Sequence, residues 1–167
     1  MQVRPVVRLI INAMVIALLV LFGNAMTPEP GQSSGNGNPA ILLLIPLCIL
    51  FVVMVFQWIR IFKAMTLSLK LLPQMVLALA GYIIAGYVYQ LHKLDIYREI
   101  QAEAIELRWG EVDWHYIESI TSGILSIHMN NQFFNLNTYF MMVAFSLLLC
   151  FLYRWIHGVR NGSQVVE

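Results

Sequence analysis

Between Leu91 and Asn137 the chain gathers seven of its nine carboxylates and three of its four histidines, the side chains that acid/base or metal chemistry would need. Asp95, Glu99, Glu103 and Glu106 follow at intervals of four, four and three, which puts all four on one face of a helix. Like charges one turn apart destabilise a helix by a few tenths of a kcal/mol per pair. Arg98 is the only basic residue positioned to relieve Asp95. Such a stripe can receive a basic partner surface, gather divalent cations through clustered oxygens, or simply be the solvated face of an amphipathic helix. Ile96, Ile100, Ala104 and Leu107 recur at the same spacings and predict the packed side.

A second group contains Glu111, Asp113, His115, Glu118 and His128. Glu111 to His115 and His115 to Glu118 are helical spacings, at which two side chains can share a metal ion. Asp113 reads as an N-cap, which leaves Glu111 outside the helix. His128 lies thirteen residues beyond His115 and off its face. A metal-dependent or acid/base reading therefore reduces to His115 and Glu118. No HExxH, GxSxG or phosphate loop is present, so no cofactor is expected and no catalytic residue is assigned.

The elements that must position these residues are strongly apolar. The chain is 59% hydrophobic and 11% charged, where soluble domains carry roughly a quarter charged residues. Its apolar residues come in long runs, which predicts one all-α integral membrane domain over 1–167, with lipid burying most of them. A net charge of +1 points to neither nucleic acid nor an acidic polymer as partner. Cys48 and Cys150 stand alone inside apolar runs, which excludes a CxxC redox pair.

Four transmembrane helices are expected, at about 6–26, 40–59, 71–91 and 138–155. The first has a basic lead and the small pair Gly23/Ala25, features shared with a cleavable signal peptide, and is read as a retained span. Asn12 lies one turn from Arg8, close enough to the headgroups to need no special partner. Residues 27–39 (TPEPGQSSGNGNP) carry turn chemistry and predict a flexible exposed loop. In the third span Gly81 and Ala85 form a small-xxx-small pair of the kind that lets helices approach closely in lipid. Gln74 and Ser146 are expected to make interhelical hydrogen bonds, worth roughly 1 kcal/mol each.

The third span should continue beyond the membrane as a helix, since nothing breaks it before Gly110. After Asp113, the spacing of Trp114, Ile117, Ile120, Ile124 and Ile127 predicts an amphipathic helix of about four turns. An amide-rich turn with Asn130, Asn131, Gln132, Asn135 and Asn137 leads back to lipid. Together these form an extracytoplasmic helical segment over 92–137.

Orientation follows from the basic residues. Arg4, Arg8, Arg60, Lys63, Lys70, Arg154 and Arg160 fall at one end of the spans, against Lys93, Arg98 and Arg108 at the other. The positive-inside rule then predicts a cell-membrane protein with both termini cytoplasmic. No span contains Asp, Glu, Lys, Arg or His between its flanking charges, which argues against a proton pump or a histidine-ligated haem in the bundle. The leading expectation is an accessory subunit, assembly factor or regulator of a larger membrane complex. It would touch its partner through Asp95, Glu99, Glu103, Glu106 and the Gly81/Ala85 face. The alternatives are an enzyme or sensor using His115 and Glu118, and a pore formed by self-association.

Overall fold

The computed structural model describes residues 3–33, 37–63, 65 and 67–163, with the side chains of 159–163 outside that description. Part of the 27–39 loop and the Arg160 side chain therefore lie outside the described residues. The rest is all-helical: α1 (Val3–Ala25), α2 (Leu44–Lys63), α3 (Leu72–Trp109), α4 (Trp114–Ile120), α5 (Asn130–Phe133) and α6 (Leu136–Ser163). Short 3-10 turns, Pro39–Leu43 and Ile127–Met129, precede α2 and α5. Four of the helical stretches are long and apolar enough to cross a membrane, near the expected positions.

Local sequence accounts for the helix ends. Asn38 accepts a hydrogen bond from the Ala40 N–H at 3.0 Å, with Pro39 next in the chain, where its missing N–H costs nothing. Pro46 and Pro73 each sit in the first turn of their helices. α3 runs for 38 residues without a break and stops at Gly110, which takes φ 86° and donates its N–H to the Glu106 carbonyl. That left-handed conformation is open to glycine without steric cost.

The helices are arranged around α6. It packs most extensively on α3, while α2 and α1 cover its other side and pack on each other. Ile16, Val20, Leu47, Met54 and Phe134 form the core between α1, α2 and the start of α6. Leu72, Cys150 and Phe151 form a second core near the far end, joined to α2 by Trp58 and Phe62. Ser146 accepts a hydrogen bond from the Trp58 indole N–H at 3.1 Å, the interhelical bond expected of it; Gln74 is exposed instead. At the same end Arg154 donates to the carbonyls of Phe62 and Met65, closing the C-terminus of α2.

Two local expectations are corrected. Asn12 does have dedicated partners. It is 6% exposed, and its Nδ2 donates to the Leu50 carbonyl at 3.0 Å and to Gln57 Oε1 at 3.1 Å. The cause is α2, which lies over that face of α1 and removes the water that Asn12 would otherwise use. The second outer helix is half the expected length, because Thr121 turns its hydroxyl back onto the Ile117 carbonyl and Gly123 adopts φ 81°. Ser126 then bonds the Ile120 carbonyl and folds the chain away.

Within the chain, close helix approach falls on a different small residue. Gly81 and Ala85 point away from the bundle, and a Cβ built on Gly81 would meet nothing within 4 Å. The close approach is at Gly86, where a Cβ would lie 2.7 Å from Met141 Sδ. Asn137 Nδ2 reaches the Gly86 carbonyl at 2.9 Å through that gap. Gly86→Leu is therefore expected to lower thermal stability in detergent by about 1–3 kcal/mol through overpacking. Gly81→Leu should stay within about 0.5 kcal/mol for the isolated chain, as exposed substitutions do. Equal losses at the two positions would be inconsistent with this α3–α6 contact.

Candidate functional site

At 1.5 Å per residue α3 is about 57 Å long, nearly twice a hydrocarbon core of about 30 Å. Its apolar half, to about Leu91, lies along α6, and the polar half extends past the end of that packing. The two long connections fold onto this extension and form a small head at one end of the bundle. Gly31 N–H donates to Gln101 Oε1 at 2.8 Å, and Arg108 reaches the Gly31 carbonyl at 2.9 Å. Asn38 Nδ2 donates to Asn130 Oδ1 at 2.7 Å and to the Ser126 carbonyl at 3.2 Å, tying the first connection to the second.

Each side of the extension has a different neighbour. Ala102 and Ile105 pack against Ile117 of α4. Arg98 bridges that side, donating from Nε to Thr121 Oγ1 at 2.9 Å while standing 3.8 Å from Asp95 Oδ1, the relief expected from the sequence. Tyr97 and Gln101 face the connections and are buried. Asp95, Glu99, Glu103 and Glu106 are all exposed, on the side away from these contacts. Helical geometry continues that side down into the apolar half through His92, Val88, Ala85, Gly81 and Leu77, every one exposed.

The expected packed stripe is not the buried one. Leu107 is 84% exposed and Ile100 is half-exposed. Tyr97, Gln101 and Ile105 are buried in their place, because the head closes on α3 through hydrogen bonds as well as apolar contact.

At the centre of the head is His128, fully buried. Its Nε2 lies 3.1 Å from the Gln32 carbonyl, an acceptor only, so Nε2 carries the proton. Nδ1 then accepts, from Tyr97 Oη at 3.0 Å and Gln101 Nε2 at 3.1 Å. Gln101 Nε2 also donates to Tyr97 Oη at 2.7 Å. Burial lowers the His128 pKa below its usual value, partly offset by the Gln32 carbonyl. Burial also raises that of the Tyr97 hydroxyl, against the Gln101 hydrogen bond. The neutral imidazole is thus a clasp between both connections and α3. The spacing of Tyr97 and Gln101, four residues apart on a helix, was the available signal; His128 is 31 residues from Tyr97 and 27 from Gln101, and only the fold supplies it.

A second polar layer lies below, where α3 meets the start of α6. Gln90 donates from Nε2 to Gln132 Oε1, and its Oε1 accepts from Asn135 Nδ2 at 3.2 Å and Asn137 Nδ2 at 3.0 Å. The amide-rich turn is therefore a packed network on α3.

His115 and Glu118 are exposed and line a hollow with Arg98, Ser119 and Ser122. Asp113 caps α4, accepting from the Tyr116 N–H at 3.0 Å. Among the described residues no three His, Cys, Asp or Glu side chains converge as metal ligands. Comparison of the chain with protein-family models, curated proteins and solved structures finds no match to any of them.

The clasp makes the head sensitive to acid. The unfolded chain takes up the His128 proton near the usual pKa, before the folded chain does, so stability is full above about pH 6.5 and falls as pH drops through it. His128→Gln should lose about 1–3 kcal/mol at pH 8 by leaving Gln32, Tyr97 and Gln101 poorly paired, and should flatten the decline between pH 7 and about pH 5. Thermal unfolding across that range checks both. A variant declining as steeply as the wild type would place the acid sensitivity elsewhere.

Proposed function

We propose that this is a multi-pass cell-membrane protein with both termini in the cytoplasm, acting as an accessory subunit, assembly factor or regulator of a larger membrane protein. The observation that carries the reading is the uncovered side of α3. It is continuous for the length of the helix, small and apolar along Leu77, Gly81, Ala85 and Val88, then acidic from Asp95 to Glu106. A helix lying along the first part could come close at Gly81 and Ala85. A basic surface above it would meet four carboxylates with one cation, Arg98, beside them. The matching partner is therefore a larger protein with both a membrane helix and a basic outer surface.

The orientation rests on the seven basic residues at the end opposite the head. A cysteine at Glu103 should then react with an impermeant thiol reagent in intact cells, and one at Lys70 should not.

Function is tested through α3. Replacing Asp95, Glu99, Glu103 and Glu106 together by Gln should leave the fold intact, since all four are exposed, and should weaken co-purification of the partner in mild detergent. Wild-type association should likewise weaken as salt rises towards about 1 M, where the screening length is about 3 Å. An outer metal-dependent or acid/base site would respond instead to chelator and to His115→Ala. Association indifferent to salt and to all four Gln substitutions would leave the stripe as a solvated face.

A further inference from the structure

Beside the acidic side of α3, at the boundary between its two halves, lies a half-open cavity of about 460 Å³ between α3, the end of α1 and the start of α6. Leu21, Ile96, Ile100 and Leu136 give it an apolar wall. Gln90, Asn135 and Asn137 give it a polar floor, held by the hydrogen bonds among them. Asn24, Tyr89 and Lys93 also line it and are exposed. Among the described residues Lys93 has no carboxylate within ion-pairing distance, the one recorded ion pair being Arg98 with Asp95.

The level of this cavity decides what can reach it. Gln90 and Lys93 are 18 and 21 residues beyond Leu72, or about 27 and 32 Å along the helix axis, which is one hydrocarbon thickness from the opposite end of the span. In a bilayer the cavity would open at the headgroups. A lone cation, amides that both donate and accept, and an apolar wall are complementary to an amphiphile with a single phosphate, hydroxyls on its headgroup and an acyl tail. A choline headgroup fits poorly, because it has no donor and brings a positive charge towards Lys93.

We infer that this cavity is a binding site for an anionic, hydroxyl-bearing phospholipid headgroup, with Lys93 taking the phosphate and the amides taking the hydroxyls. The inference rests on the membrane reading above. The two fail separately: flotation with phosphatidylcholine vesicles tests membrane insertion, and lipid preference of the purified chain tests the site.

Native mass spectrometry of the full chain in detergent, titrated with phosphatidylglycerol or with phosphatidylcholine, reads that preference. One phosphatidylglycerol should be retained per chain in preference to phosphatidylcholine. Lys93→Gln should weaken its retention about fivefold, the effect of one basic residue near an anionic lipid. Asn24→Ala should weaken it as well, and Lys70→Gln, at the other end of the spans, should leave it unchanged. Both cavity substitutions are at exposed positions, so thermal unfolding should match the wild type. Equal retention of the two lipids would overturn the proposal, as would equal losses for Lys93→Gln and Lys70→Gln. Displacement by inorganic phosphate at concentrations matching the lipid would also overturn it, showing a site for the free anion.

Discussion

The constraint on which the rest of the structure depends is the length of α3. A helix of 38 residues cannot be covered by neighbours that supply only about twenty residues of apolar contact. Its outer half would stand alone, and an isolated helix of that length with four like charges on one side is marginal in water. The two connections remove the problem by wrapping it. The second packs Ile117 on Ala102 and Ile105, and hydrogen bonds join both connections to the helix: Gly31 and Gln32 from the first, His128 from the second, with Tyr97 and Gln101 on α3 between them.

That solution has a consequence for chemistry. A buried polar cluster is stable only when its members are mutually satisfied. Here the donors and acceptors close around a neutral imidazole, whose own partners are the Gln32 carbonyl, Tyr97 and Gln101. The His128 ring is therefore occupied as a structural joint, and the carboxylates are left to the outside. His115 and Glu118, which have the helical spacing of a ligand pair, are exposed on the short α4. Polar groups in this protein thus divide by depth. Amides, the buried imidazole, Arg98 and Arg108 hold the head together, while carboxylates lie on its exposed surface.

The same division explains the two amide layers. Asn12 with Gln57, and Gln90 with Gln132, Asn135 and Asn137, join helices where apolar runs end or are interrupted. An uncharged amide can satisfy itself against carbonyls and other amides at modest cost of burial, which a charged group cannot do. Glycine completes the joint at Gly86, where the absence of a side chain brings Asn137 onto the α3 backbone.

By itself the sequence determined the four apolar helices, their approximate ends, the uninterrupted run from Leu72 to Gly110, the Asp113 cap and the exposed acidic stripe. Each is set by local composition or by periodicity along one element, and neighbours are not needed to infer it. Which small residue makes the close contact was decided only by the tertiary structure. The register of α3 on α6 turns Gly86 inward and leaves Gly81 and Ala85 on the exposed side. The buried side of the outer helix was decided in the same way, since Tyr97 and Gln101 replace the Ile100 and Leu107 that hydrophobicity alone favours. The physical reason is that hydrogen-bond partners at Gln32 and His128 come from distant parts of the chain. No pattern within α3 records where they will be.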